Sequence, residues 1–375
     1  MHEADIHHRS AALFLIIYQV LIVLTLPFYL WLGSPTWSMF LAAFIVYFLG
    51  GLSITAGYHR LYSHRCYKAN RLVEFIVLFF GSTTFQGSVI RWSYDHRLHH
   101  AHVDTDDDPY SIKKGFLYAH CLWLLDEPRR INKKVVADLM QNSWVMWQHK
   151  HSKLAMIGSN VLTTIFCGWL LSDYLGAFFL VMWARLFFIH HCTWFINSLA
   201  HTWGDQPFCK EQSAMNNCVI SILTFGEGYH NYHHTYANDY RNGVRWYQYD
   251  PAKWLIWCLS KIGFAWNLRR VDAFTIKKKM VLEGKNDLLK NVKNLWYVKR
   301  DEMESRIQEL SNNMVDKITR FNELKTRVQK LKKERSGELK ELKLELKCLK
   351  KSLKQDWRRW SRLYRDVSHL KPIMV

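Results

Sequence analysis

The strongest constraint on the fold is a set of long apolar runs. Residues 11–32 (AALFLIIYQVLIVLTLPFYLWL) carry no charged side chain over 22 positions. About 20 apolar residues reach across a bilayer core. Residues 36–57 form a second uncharged run, 154–172 a third, and 174–196 a fourth, interrupted by Arg185 and His190-His191. Four runs in two close pairs predict transmembrane helices rather than the buried helices of a soluble core. The first run is too long for a cleaved signal peptide, and no small-residue cleavage site clearly follows it. The link inside each pair (about 33–35, and 172–173) lacks Lys and Arg, whereas residues 58–153 hold 14 of them. Positively charged loops stay in the cytoplasm. The expectation is a multi-pass integral membrane protein whose two hairpins open outward, with both termini cytoplasmic. Residues 72–90 are apolar but contain Glu74 and Gln86, which predicts an interfacial or buried helix instead of a span.

Charge divides the chain again. The net charge is +19, from 51 Lys+Arg and 32 Asp+Glu. Residues 277–375 hold 28 basic and 14 acidic residues, so +14 of the excess lies there. The mildly negative mean hydropathy is therefore an average of apolar spans and a charged tail. No nucleic-acid recognition motif accompanies the basic excess, and no nucleic-acid partner is expected. We divide the chain into a transmembrane part with a cytoplasmic cap, 1–276, and a basic tail, 277–375.

Residues 297–360 of the tail are almost free of Pro and Gly. Ile307, Leu310, Met314, Phe321, Leu324, Val328 and Leu331 follow a three-four spacing. Ser336-Gly337 interrupts it, and Leu339, Leu342, Leu346, Leu349 and Leu353 resume it. The pattern predicts a coiled coil, or a helical hairpin folding at Ser336-Gly337. Self-association, partner docking, contact with anionic lipid and a merely solvated helix are all open for it. The eight Cys form no CxxC pair, which predicts reduced, mostly structural thiols.

The 19 His are clustered. His59-Arg-Leu-Tyr-Ser-His64 follows the second span, His96-Arg-Leu-His99-His100 lies in the cytoplasmic segment, and His230-Asn-Tyr-His233-His234 follows the last span. The two HxxHH boxes place imidazoles at i, i+3 and i+4, on one helical face. Imidazole binds iron, copper and zinc. Eight such residues exceed the needs of one four-coordinate ion and suit two. His201 is a ninth candidate. Asn197, four residues earlier, could hold a metal-bound water. Asp95, Glu227, Asn231 and Asp104–Asp108 are candidates to orient the rings through their second nitrogens. An ordinary solvated loop is an equal reading for Asp104–Asp108.

These motifs, in this order and spacing, resemble the membrane fatty acid desaturases, and more closely the delta-9 acyl-CoA (stearoyl-CoA type) group. Gly51-Leu-Ser-Ile-Thr-Ala-Gly-Tyr-His59, Gly226-Glu-Gly-Tyr-His230 and the NSxxH stretch at 197–201 extend the resemblance. It covers roughly residues 10–272 and leaves out the tail. It implies an all-α fold with four transmembrane helices and a cytoplasmic helical cap holding a diiron centre. It implies O2-dependent insertion of a cis double bond into a saturated acyl chain. The implied iron ligands are His59, His64, His96, His99, His100, His201, His230, His233 and His234, with Asn197 acting through water. An unactivated methylene has no acidic proton and no leaving group, so the oxidant must come from O2 at a redox metal; zinc has no redox chemistry.

The substrate needs an apolar tunnel and a polar mouth. Trp92, Phe85, Trp194 and Phe195 are candidate tunnel walls, with core packing as the plain alternative. Lys113-Lys114, Asp95 and Trp92 match family positions that bind the coenzyme A head. Gly87 and Tyr94 stand where the animal acyl-CoA enzymes carry an amide and an Arg, so acyl carrier protein thioesters and phospholipid acyl chains stay open beside acyl-CoA. The sequence has no His-Pro-Gly-Gly haem box. No bound haem or flavin is expected, and electrons are expected from a separate cytochrome b5 or ferredoxin. A membrane diiron alkyl or acyl hydroxylase is the alternative function. The endoplasmic reticulum and a bacterial inner membrane are both open as locations.

Overall fold

The computed structural model describes residues 3–295, 299–334 and 339–370. The proposed break at Ser336-Gly337 lies outside the described residues. The chain forms two compact units: residues 1–206 with 211–270, and residues 207–210 with 271–375.

The first unit is mostly helical, with one short antiparallel pairing of Lys68–Ala69 with Ala265–Trp266. Four helices are long and apolar enough to cross a membrane: Leu13–Leu32, Trp37–Ser63, Ser152–Leu171 and Tyr174–His201. The first lies in α1 (Glu3–Leu32). Thr36 caps α2 (Trp37–Leu52) by accepting from the Met39 amide, and Asp173 caps the fourth span by accepting from the Gly176 amide at 2.7 Å. Both caps satisfy amides left over at a helix start. The third span lies in α5 (Ser152–Leu171), and the fourth includes α6 (Arg185–Asn197).

Two spans run further than their apolar sequence. The second continues from α2 as a π-helix over Ser53–Ser63, and the fourth reaches His201. Polar side chains within these two spans are buried and partnered. Arg185, deep in the fourth span, donates to the carbonyls of Val181 and Thr83 at 2.7 Å each and to Asn160 Oδ1. Such pairing lets a guanidinium sit among apolar residues.

The 72–90 stretch is two helices instead of one. α3 (Arg71–Ser82) ends before a turn in which Phe85 and Gly87 have φ of 55° and 82°. α4 (Val89–His102) then starts on the Ser88 cap. α3 buries Val73, Val77 and Leu78 and exposes Leu72, Phe75 and Ile76. Close packing fixes it beside the π-helix, where a Cβ on Gly57 would lie 2.1 Å from Val77 Cγ1. Two further helices matter for the site, α7 (His230–Thr235) and α8 (Pro251–Lys261).

The second unit contains α9 (Ala273–Lys293), α10 (Arg300–Glu334) and α11 (Leu339–Ser368). Val281, Leu288 and Val292 of α9 meet Ile307 and Met314 of α10 and Trp360, Leu363 and Val367 of α11. Ile318, Phe321 and Leu353 continue the seam, with Leu346 and Leu349 packed against it. Lys317 pairs with Asp356 and Arg320 with Glu345, so α10 and α11 run antiparallel. Several of the heptad positions therefore face each other within one chain.

Gly57→Ala is expected to destabilise the first unit by about 1–3 kcal/mol through overpacking, and adding Val77→Ala is expected to recover part of the loss. Thermal unfolding of the unmutated chain and the two variants in detergent checks this. A double variant no better than Gly57→Ala would contradict the contact.

Candidate metal centre

The nine histidines come from four places. His59 and His64 lie at the end of the second span. A spacing of five residues puts two side chains far apart around an α-helix, but the π-helix repeats i to i+5. The His64 amide donates to the His59 carbonyl at 3.0 Å, and the two rings lie 4.7 Å apart. α4 carries His96, His99 and His100. His201 closes the 3-10 turn Leu199–His201, and α7 carries His230, His233 and His234.

The structure gathers all nine and sorts them into two groups. His59, His64, His96, His100 and His233 form one, and His99, His201, His230 and His234 the other; within each, the donor atoms lie within 4.8 Å of one another. Each HxxHH box is split between the groups. Neighbouring residues on a helix point about 100° apart, so His99 and His100 serve different groups.

The Nε2 atoms face inward. In the first group His59–His233, His64–His96 and His100–His233 approach at 3.0, 2.8 and 2.9 Å. In the second, His99–His234, His230–His234 and His201–His230 approach at 3.2, 3.0 and 3.1 Å. Two ligands about 2.1 Å from one ion stand about 3.0 Å apart at a right angle and about 3.4 Å apart at the tetrahedral angle. In the five-histidine group the spacings fit the right angle, and five donors exceed a tetrahedral set. That group suits an ion with more than four ligands better than a structural zinc.

Four of the outward nitrogens have polar neighbours that can fix the ring. His99 Nδ1 lies 2.9 Å from Asp108 Oδ1. Ser213 Oγ donates to Asp104 Oδ1 at 2.5 Å, so it must accept from His201 Nδ1, 2.7 Å away. His96 Nδ1 meets the Tyr110 hydroxyl at 3.3 Å. His59 Nδ1 stands 2.9 Å from Glu227 Oε2, close enough for a strong contact although its N–H direction is off the oxygen. Where Nδ1 holds the proton of a neutral ring, Nε2 presents a lone pair. Lone pairs converging at such distances repel unless a cation lies between them, so the donor set fits a metal.

Burial keeps six of the rings neutral. Burial, then the neighbouring histidines, hold His64, His96, His100, His230, His233 and His234 well below the ordinary imidazole range. Burial alone would push the Glu227 carboxyl up, but the facing His59 and Arg60 outweigh it and hold it below the usual carboxylate range. Arg60, 1% exposed, donates to Glu227 Oε1 and Asp250 Oδ1 at 2.9 Å each and to the Tyr240 carbonyl. Asn242 donates to the other Glu227 oxygen at 2.7 Å. Asp250 also caps α8 through the Lys253 amide. Removing one partner of a buried pair such as Arg60–Glu227 costs about 3–5 kcal/mol.

Other expected site residues lie as follows. Asp95 is corrected as an orienting group for His96: it pairs with Arg91 at 3.4 Å, burial raises its carboxyl to about 6, and Tyr110 takes the His96 nitrogen. Asn231 is fully buried and donates to the Ala214 carbonyl at 2.9 Å. Asn197 ends α6, four residues before His201. Trp92 stacks on His96 with ring centres 4.9 Å apart and donates to Gln86 Oε1, while the Gln86 amide donates to Thr193. Trp194 packs on His190, His191 and His120, and Phe195 on His120. Phe85 packs on Phe14. Lys113 and Lys114 are exposed, away from the histidine contacts, with Lys114 over the Tyr118 ring. Sequence reasoning missed Arg60, Asp250, Asn242, Ser213, Tyr110, Gln86 and Thr193. Arg60 stands inside the first motif; the others carry no spacing that marks them.

Comparison with known proteins agrees with this geometry. The fatty acid desaturase family model matches residues 31–269. The chain is 48% identical over 242 residues to a protein named probable acyl-CoA desaturase from Schizosaccharomyces pombe, covering 64% of this chain and 50% of that protein. It is 39% identical over 257 residues to acyl-CoA desaturase 1 of Saccharomyces cerevisiae, covering 68% and 50%. It is 35% identical over 237 residues to sn-2 palmitoyl-lipid 9-desaturase of Nostoc, covering 61% and 81%. The chain spans about half the length of the two fungal relatives. With apolar helices fit to span a membrane and a buried histidine cluster able to hold metal, the chain belongs to the fatty acid desaturase family.

Proposed function

We propose that the chain is an O2-dependent fatty acyl desaturase that introduces a cis double bond, at the delta-9 position, into a saturated acyl-CoA. The observation that carries the reading is the convergence of nine histidine Nε2 atoms, seven of them on buried residues, in two groups. The names of the two fungal relatives support a CoA thioester over a lipid-borne chain.

The five-histidine group would hold one iron, and the four-histidine group, with Asn197 through water, a second. When bound, the irons supply the oxidising power, drawn from O2, that an unactivated methylene requires. The chain's own residues supply neutral donors and fix them. Asp108 holds His99, Asp104 holds His201 through Ser213, and Glu227 faces His59. Such partners raise ligand basicity and fix ring orientation. Arg60 balances Glu227 and ties it to Asp250, so negative charge near the site is held without being left unpaired. Trp92 lays an apolar ring against His96 and keeps water off that side. Trp194 is assigned to the substrate passage, and Asp95, Lys113 and Lys114 to the polar mouth that takes the CoA head. Asn231 braces the third box through Ala214.

The catalytic assembly is assigned to residues 1–276 and the basic helical tail to 277–375. The cap and both termini face the cytoplasm, in keeping with the Lys/Arg content of residues 58–153. Two electrons come from an external carrier, for which cytochrome b5 and a ferredoxin are the candidates. The tail's heptads offer a coiled-coil surface for self-association.

Expression in a desaturase-deficient host fed a saturated fatty acid, followed by mass spectrometry of the lipids, tests the activity. A new cis monoene is expected; a hydroxylated chain, or no product from iron-loaded protein with a competent donor, contradicts the reading. His99→Ala is expected to remove product and lower bound iron, and retained activity would sink the ligand assignment. Asp108→Asn is expected to weaken iron retention about ten- to hundredfold, read by metal analysis after dialysis against chelator. Unchanged retention would show that Asp108 does not support the site.

A further inference from the structure

The last helix, α11, separates its side chains sharply. Leu353, Trp360, Leu363 and Val367 are buried in the core of the second unit. On the opposite side Lys343, Lys347, Lys350, Lys354, Arg358 and Arg362 are exposed. At 3.6 residues per turn these six fall within about 120° of the circumference. With Lys340 and Arg365 at its ends, the stripe runs about 38 Å at 1.5 Å per residue. The exposed acids of this helix, Glu341 and Asp366, lie near its two ends. Glu345 and Asp356 are engaged by Arg320 and Lys317 of α10. Among the described residues, none of the six stripe cations has a carboxylate within ion-pair distance. α10 is different: its exposed positions mix Asp301, Glu309 and Glu323 with Arg306, Lys325 and Lys330. The stripe is therefore a local feature and not a uniform solubility coat.

We propose that the α11 stripe docks on an anionic membrane surface, recognising phosphatidylserine-type headgroups. The chain itself carries four apolar helices fit to span a bilayer, and the second unit follows directly at Val271. Covalent continuity gives the stripe a high effective concentration relative to the bilayer, so weak attraction suffices. A protein partner is disfavoured by composition. Protein interfaces deplete Lys and depend on aromatic anchors, whereas Trp357, Trp360 and Tyr364 of α11 pack into the unit's own core. The one large apolar side chain exposed on the helix is Leu344, so insertion adds little. The attraction is Coulombic and therefore sensitive to salt.

The test uses the full chain in nanodiscs of phosphatidylcholine, with or without phosphatidylserine. A donor dye is placed on Cys348, exposed on α11, after the other exposed cysteines, Cys218 and Cys258, are replaced by Ser. Energy transfer to lipid-borne acceptors is expected in anionic discs and to fall at least about fivefold in neutral discs or high salt. The triple reversal Lys347→Glu, Lys350→Glu, Lys354→Glu is expected to abolish it. Arg306→Glu, Lys325→Glu, Lys330→Glu, with the same change in charge on α10, is expected to leave it in place; circular dichroism verifies that both variants stay helical. Transfer independent of lipid charge or salt in the unmutated stripe overturns the proposal without recourse to variants. So do equal losses from both reversals, or displacement of α11 from anionic discs by duplex DNA or an acidic protein added at low concentration.

Discussion

Nine imidazole Nε2 atoms facing one another in a largely buried space are the condition that the rest of the membrane unit must meet. Bare Nε2 atoms 2.8 to 3.2 Å apart repel, and burial removes the water that would soften the repulsion. The fold can keep them there only if something cationic repays the cost and if rings are held from behind, as four of the nine are. Asp108, Ser213 with Asp104, Tyr110 and Glu227 occupy those rear positions. The carboxylates in turn create a charge problem of their own, which Arg60 answers between Glu227 and Asp250. Asp250 then caps α8, so the electrostatics of the site extend into a helix start well beyond the third box in sequence.

The same requirement explains why two spans outrun their apolar sequence. A helix leaving a bilayer would be free to fray once polar residues begin. Here the polar residues are the ligand candidates and their supports, and burying them extends the second span to Ser63 and the fourth to His201. Packing reinforces this. Gly57 lets α3 approach the π-helix, and Gly51 does the same for the Phe225 ring. Scaffold and site are therefore one structure: the apolar runs deliver the histidines, and the histidines' partners fix where the runs end.

Much of this was legible in the residues. Apolar length located the spans, and the i, i+3, i+4 spacing placed the HxxHH boxes on helices. The spacing could not allot His99 and His100 to different groups, because that depends on where α7 and the 3-10 turn at His201 arrive. The first motif was read as a pair of ligand candidates, yet its five-residue spacing needs a π-helix, which no local propensity announces. Asp95 looked like a natural partner for His96 by adjacency; on a helix, adjacent residues diverge, and Arg91 one turn away captured it. Asp250 was invisible because its tie to Arg60 spans 190 positions of sequence. In the tail the heptad positions were readable, but the third helix that shares their core, α9, lies partly before the charge boundary that marked the tail.

The central proposal is that each histidine group would hold its own iron. Iron per chain should be measured in protein purified from an iron-replete host under conditions that exclude zinc loading, for the unmutated chain and for His64→Ala and His201→Ala. The account predicts about two irons in the unmutated chain, with each variant losing chiefly the iron of its own group, five-histidine or four-histidine. A single iron in the unmutated chain, or a variant of one group that leaves both irons in place, would contradict it.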